Sequence, residues 1–187
     1  PIACVVPASR YSDELGGEVN RRFGLGEERT PLQDVGFPMQ QLVEIALRAL
    51  SPGINDPFTA MQCVNRLRVT LLEMGRRRMP DRVHRGGDGR PRVLTLPVTF
   101  CEALDLVFDP LRRDGARNVA VAAGLLAALA QLADDSEDPQ RCTAIRSHAD
   151  ALLEDALRHP VQERDRQRLL ALHRDVVAAP RTPAAAV

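Results

Sequence analysis

The fold is decided at a short interruption between two apolar helical patterns, the stretch Arg48-Ala-Leu-Ser-Pro-Gly-Ile-Asn-Asp-Pro-Phe-Thr-Ala60. Pro52 cannot continue the preceding helix and disfavours helical geometry in the residue before it, so that helix is expected to end there. A second helix has a strong start directly afterwards, because Asp56 or Asn55 can cap it and Pro57 suits its first position. The stretch therefore predicts a sharp corner between two helices.

The two helices that flank this corner have different polar patterns. From Phe37 to Leu50 the only polar residues are Gln40, Gln41, Glu44 and Arg48, so this helix is expected to be buried on nearly all sides. Gln40, Glu44 and Arg48 lie one turn apart and form a narrow polar stripe. After the corner, apolar residues recur at alternating steps of four and three, a spacing typical of a helix packed on its neighbours: Ala60, Val64, Leu67, Leu71 and Met74.

Four more apolar seams follow between residues 100 and 178, and together the seams predict a mainly α fold, a helical bundle of about six helices. The most apolar run, Val119–Ala133, falls short of the ~20 residues that span a bilayer, so it is interpreted as a buried helix. The seams consist of Phe100, Leu104, Val107 and Leu111; Ala122, Leu125, Leu129 and Leu132; Cys142, Ile145, Ala149, Leu152 and Ala156; and Leu169, Leu172 and Val176.

The rest of the chain has no helical periodicity. Glycines and a short β-type run predict that the first segment is irregular, with at most short strands. An arginine- and glycine-rich loop interrupts the helices, and its Gly86-Gly-Asp-Gly89 tip predicts a short β-hairpin. The predicted organisation is an N-terminal segment at 1–35, a helical domain at 36–178 with the loop at 75–92 and the hairpin near 82–96, and a flexible tail at 179–187.

The composition excludes several classes of function. The formal net charge is zero and aromatic residues make up 3% of the chain, so no nucleic-acid partner is predicted. The four cysteines and four histidines form no cluster with ligand spacing, so neither a metal nor a cofactor is predicted, and the cysteines indicate a reducing compartment. The chain begins at Pro1 without a signal peptide and is interpreted as a piece of a longer protein.

The strongest candidate site surrounds the corner. In a functional interpretation, its side chains form a small polar pocket beside a helix N-terminus, where exposed amides and arginines bind a small anion. In a structural interpretation, Asp56 only caps the helix, Asn55 only holds the turn, and Glu44 and Arg48 form an ordinary pair one turn apart. Both interpretations remain open. The candidate residues are Arg29, Asp34, Gln40, Glu44, Arg48, Ser51, Asn55, Asp56 and Thr59.

Catalysis is less favoured at this corner, so no catalytic residue is assigned. Ser51 lacks the Gly-x-Ser-x-Gly turn that exposes a nucleophile, and no histidine is close to it in sequence. Glu44 and Asp56 could form an acid–base pair, which leaves a hydrolase or transferase as the alternative to a non-enzymatic domain.

Two segments around the corner carry a resemblance to a known family: Gly26-Glu-Glu-Arg-Thr-Pro-Leu-Gln-Asp34 and Gln41-Leu-Val-Glu-Ile-Ala-Leu-Arg-Ala-Leu-Ser-Pro-Gly-Ile-Asn-Asp-Pro-Phe-Thr-Ala60. They resemble the signature of a bacterial family of predicted membrane proteins, domain of unknown function 2254. The resemblance covers about residues 24–68. It implies that transmembrane helices, absent from this chain, precede a soluble C-terminal region, and that this chain is that region. It implies no reaction.

These observations lead to a prediction of function. The chain is expected to be the cytoplasmic domain of a bacterial protein of the cell membrane, with a role in assembly or regulation. A homo-oligomer is expected, most simply a two-fold dimer. The seven arginines from Arg76 to Arg92 favour contact with anionic lipid, and the alternative is a solvated loop without a partner.

Overall fold

The computed structural model describes residues 4–5, 7–24, 26 and 34–179. The chain divides into an N-terminal unit, residues 1–30, and a bundle unit, residues 31–187. The predicted flexible tail at 179–187 lies outside the described residues except for Ala179.

The N-terminal unit contains a helix where the sequence favoured at most short strands. A 3-10 turn spans Ala8–Arg10, and helix α1 spans Asp13–Arg22. Ser12 caps α1 by accepting a hydrogen bond from the Leu15 amide at 3.1 Å. Acidic residues in its first turn and arginines in its last turn complement the helix dipole. For residues 13–22, the interpretation as irregular with short strands was therefore wrong. Residues 1–3 and 27–30 lie outside the described part.

The described part of the bundle unit consists of six helices and one β-hairpin, so the prediction of a mainly α fold is confirmed. Each predicted seam lies within a separate helix, and the two strands lie within the predicted hairpin at 82–96. The elements are α2 (Gly36–Leu50), α3 (Pro57–Arg76), β1 (Val83–Arg85), β2 (Pro91–Leu94), α4 (Phe100–Gly115), α5 (Val119–Asp134), α6 (Pro139–Leu157) and α7 (Glu163–Ala178).

Helix α5 is the centre of the bundle. It contacts α3, α4, α6 and α7, which explains why it is so apolar. Its inward residues are almost fully buried, including Val121, Leu125 and Leu129. The interpretation of this run as a buried helix is therefore confirmed. No helix in the described part of the chain is long and apolar enough to cross a membrane.

Side-chain caps fix where most of the bundle helices begin. Asn118 accepts hydrogen bonds from two amides of α5, and Asp138 does the same for α6. Thr99 and Glu102 form a reciprocal capping box at the start of α4. These caps satisfy amide groups that have no partner within the helix, so each one sets the helix start locally.

The hairpin is less integrated than the helices. Strands β1 and β2 are antiparallel, with Val83 opposite Leu94 and His84 opposite Val93. Gly89 lies in its turn with a φ of 73°, a conformation that glycine adopts without strain. The two strands contact each other and none of the described helices. The hairpin therefore extends from the bundle instead of packing on it.

Candidate functional site

Backbone hydrogen bonds hold the corner between α2 and α3. The amides of Ile54 and Asn55 donate to the Ser51 carbonyl at 3.0 and 2.9 Å, and the Asp56 amide donates to the Ala49 carbonyl at 2.8 Å. Asn55 has a φ of 49°, a left-handed conformation that asparagine tolerates better than most residues. The corner is therefore a sharp turn that ties the start of α3 to the end of α2.

Asp56 is the cap of α3, as the sequence predicts. Its Oδ1 accepts hydrogen bonds from the amides of Phe58 and Thr59, both at 3.1 Å. Its Oδ2 accepts a hydrogen bond from the Thr59 hydroxyl at 2.6 Å. The Thr59 hydroxyl and these amides lower the pKa of the Asp56 carboxyl, because they stabilise its charged form.

The polar stripe of α2 lies on the surface. The side-chain amide of Gln40 donates to Glu44 Oε1 at 3.1 Å, while Glu44 and Arg48 are both exposed. Among the described residues, the Arg48 guanidinium forms no ion pair, with Glu44 or any other carboxylate. Ile45 is also exposed, so the expectation that α2 is buried on nearly all sides is wrong on this face. The helix has a clear outer surface.

Asp34 and Ser51 act on the backbone at the two ends of α2. Asp34 Oδ1 accepts hydrogen bonds from the amides of Gly36 and Phe37 at 3.0 and 3.2 Å. The Ser51 hydroxyl donates to the Arg48 carbonyl at 2.7 Å. Arg29 lies outside the described residues. These hydrogen bonds therefore join residues that are only two or three positions apart in the chain.

Two cavities of the described chain lie away from the corner. One is lined by residues at the ends of α3, α4, α5 and α6, and the other by residues 81–85 of the hairpin. Glu44 bonds to Gln40 on the surface, whereas Asp56 is engaged by Thr59 and the α3 amides. The two carboxylates therefore belong to different hydrogen-bond sets. Ligand binding at the corner stays a prediction, and this geometry favours the structural interpretation.

The cavity at the helix ends, about 410 Å³, contains charged residues that the sequence reasoning did not select. Arg76 ends α3 and pairs with Asp135 at 3.0 Å. The Arg141 guanidinium lies 5.1 Å from the centre of the Phe100 ring and donates to the Gly75 carbonyl at 2.5 Å. Each arginine is already engaged by a group of the protein. The arrangement therefore ties the helix ends together, and neither guanidinium is left without a partner.

A second polar cluster joins α4 to α6. His148 is buried, and its Nε2 lies 2.8 Å from Asp105 Oδ1. Arg112 of α4 pairs with Asp155 of α6, which also accepts a hydrogen bond from Arg158 at 3.0 Å. These contacts have no local signal in the sequence, because the partners on α4 and α6 are 43 residues apart.

The cysteines behave as single thiols. All four are free, and burial raises the pKa of Cys63 and of Cys101, so both favour the protonated form. In the described part of the chain, no three His, Cys, Asp or Glu side chains converge as metal ligands. Buried thiols of this kind contribute as small apolar groups.

The cap at Asp56 gives a testable prediction. Asp56→Ala is expected to lower the melting temperature by roughly 2–4 °C, whereas Asp56→Asn is expected to change it little, because asparagine also caps helices. The folded-state pKa of Asp56 is lowered, so the stability that its charge provides is present above its ordinary pKa of 3.8 and is lost as the pH falls through the folded-state value.

Thermal unfolding between neutral pH and pH 2 measures both effects. Asp56→Asn should have a smaller loss of stability below pH 4 than the original chain, since it cannot be protonated. An Asp56→Asn variant as unstable as Asp56→Ala at neutral pH would show instead that the charge is paired with a cation.

The fold and the corner define a helical domain in which the polar side chains described above cap helices or join one helix to another. Residues 1–131 match the family described as "Predicted membrane protein (DUF2254)", so the chain belongs to this family. The resemblance drawn from the sequence is thereby confirmed.

Curated relatives of the chain are uncharacterised proteins of Mycobacterium bovis and of two strains of Mycobacterium tuberculosis. Each is 36% identical to this chain over 151 residues, which is 80% of this chain. The chain spans 29% of the length of each of these relatives. No solved structure matches the chain.

Proposed function

We propose that this chain is an extramembrane assembly domain of a membrane protein, which acts by self-association and not by catalysis. The observation that carries this proposal is uncovered apolar surface around the corner. We call it the α2–α3 patch, and it consists of Ile45, Ile54, Phe58 and Val69, all of which are exposed. Phe58 is 82% exposed, although the chain has only five phenylalanines. An aromatic side chain left in water, on a surface with further exposed apolar residues, is typical of an interface.

The polar residues of the same surface favour a second copy as the partner. Glu44 and Arg48 carry opposite charges on the exposed face of α2. A two-fold interface uses the same surface on both copies, so it must be complementary to itself. Glu44 of one copy is therefore expected to pair with Arg48 of the other, around a centre formed by the α2–α3 patch.

The family supports the membrane setting, because its members are predicted membrane proteins and this chain spans a minor part of its relatives. The cysteines support the cytoplasmic side, because free thiols are typical of reducing compartments. On this proposal the membrane part anchors the protein, and the bundle brings copies together beside the membrane.

Light scattering after size-exclusion chromatography tests the assembly. At high micromolar concentration the chain is expected to have the mass of a dimer, and Phe58→Glu is expected to be monomeric because a carboxylate would be desolvated at the interface. Leu170→Glu is the matched control, since Leu170 is partly exposed on α7, away from the patch. A monomeric original chain, or a dimer unaffected by Phe58→Glu, would contradict the proposal.

The alternative is a small-anion, hydrolase or transferase site that uses Glu44, Arg48 and Asp56. It is less favoured because the Asp56 carboxylate already accepts from the first amides of α3. A negative charge at this helix N-terminus opposes the entry of an anion.

A further inference from the structure

The β1–β2 hairpin leaves large apolar side chains uncovered. It contacts none of the described helices, and strand β2 is exposed along its whole length. Leu94 is 75% exposed, and Leu96, just after the strand, is 85% exposed. A two-stranded hairpin without a packed face is only marginally stable alone in water. This hairpin is therefore expected to gain a partner that buries its leucines.

The same segment is strongly basic. Residues 76–92 contain seven arginines and two aspartates. Asp81 pairs with Arg78 at 3.3 Å, and Asp88 pairs with Arg92 at 2.7 Å. The hairpin is therefore a local positive patch on a chain whose formal net charge is zero.

Three of these arginines form no ion pair at contact distance among the described residues, although the charge of Arg82 acts on the Glu102 carboxylate of α4. Within the described part of the chain, Arg77, Arg82 and Arg85 form no ion pair. Arg85 makes one hydrogen bond, from Nη1 to the Gly89 carbonyl at 3.0 Å. Their guanidinium groups are thus available to an external anion.

Hairpin geometry places the leucines and the arginines close together. Val83 lies opposite Leu94, so these two side chains share one face of the hairpin. The Thr95 amide donates to the Arg82 carbonyl at 2.9 Å, which places Arg82 beside the segment that joins Leu94 to Leu96. The partner must therefore accept both cationic and apolar groups within a few residues.

We propose that this hairpin binds the surface of an anionic bilayer. Guanidinium groups bind lipid phosphates through charge-assisted hydrogen bonds, while the leucines insert at the boundary between headgroups and acyl chains. A bilayer is an available partner because the chain belongs to a family of predicted membrane proteins. Nucleic acid fits less well, because residues 76–98 contain no aromatic side chain and the exposed leucines would stay uncovered. The inference goes beyond the assembly role and does not depend on self-association.

Co-sedimentation of the chain with vesicles tests the inference. Vesicles of equal parts phosphatidylcholine and phosphatidylglycerol are expected to bind the chain, and vesicles of phosphatidylcholine alone are not. Arg82→Gln/Arg85→Gln is expected to weaken vesicle binding about tenfold, because each arginine near an anionic surface adds electrostatic attraction to the free energy of binding. At high salt, where the attraction between charges is screened, the remaining vesicle binding depends on apolar contacts. Leu94→Ser/Leu96→Ser should therefore weaken this remaining binding.

The matched control removes the same charge elsewhere. Arg164→Gln/Arg168→Gln changes two exposed arginines of α7 and should leave vesicle binding unchanged. All variants alter exposed positions, and circular dichroism checks that each is folded. The assay repeated with Phe58→Glu separates this inference from the proposed dimer, because a monomer should still bind vesicles. Equal binding to both vesicle types, equal loss in the α7 control, or binding to duplex DNA without binding to vesicles would overturn the inference.

Discussion

Leu129→Ala is expected to lower the free energy of unfolding by about 3 kcal/mol. Leu129 is fully buried on α5, the helix that contacts α3, α4, α6 and α7. Removal of its side chain leaves a cavity that four surrounding helices cannot easily close, so lost transfer free energy and lost packing add together. Urea unfolding at neutral pH measures the change.

Leu96→Ala is the matched control for this experiment, because it removes the same atoms from a leucine that is 85% exposed. Its effect on the free energy of unfolding is expected to stay within about 0.5 kcal/mol. Similar losses in the two variants would contradict the assignment of α5 as the centre of the core.

The bundle was predictable from the sequence because its signals are local. Pro52 stops α2, Asp56 starts α3, and the apolar spacing identifies each helix without knowledge of its neighbours. Helix α1 was missed for a local reason as well. Gly16 and Gly17 lie inside it and weigh against a helix, whereas the Ser12 cap and the charged ends favour one.

The candidate site was only partly predictable. The sequence identified Asp56 as a cap and grouped it with Thr59, and their contact at 2.6 Å is the closest within the corner. It also predicted a pair between Glu44 and Arg48, but the structure joins Glu44 to Gln40. Which partner an exposed side chain takes depends on its rotamer, and the free energies of the alternative pairs differ by only a few tenths of a kcal/mol.

Contacts between distant residues could not be predicted from one sequence. Arg76 and Asp135 are 59 residues apart, and Arg112 and Asp155 are 43 residues apart. In the sequence, nothing distinguishes any of these charged residues from one on the exposed face of a helix. Only the packing of α3 on α5, and of α4 on α6, turns them into ties between helices.

The ion pair between Arg112 and Asp155 is expected to contribute more to the free energy of unfolding than the surface ion pairs do. The two side chains are only 22% and 21% exposed, whereas those of Arg78 and Asp81 are 87% and 70% exposed. Among the described residues, Arg112 Nε is buried without a hydrogen-bond partner, and Asp155 is the nearer of the two carboxylates that pair with the guanidinium, since Asp109 lies 4.0 Å away. A partly buried cation that loses its carboxylate is left with its desolvation penalty and little to offset it.

Asp155→Ala is therefore expected to lower the free energy of unfolding by about 2–3 kcal/mol, while Asp81→Ala should change it by less than about 0.5 kcal/mol. Arg112→Met/Asp155→Leu should recover much of the loss, because two apolar side chains of similar volume leave no charge unpaired. Urea unfolding of the three variants at low and high salt measures these differences, and the effect of Asp155→Ala should change little with salt. A double variant as unstable as Asp155→Ala would show that the loss comes from packing between α4 and α6, and not from an uncompensated charge.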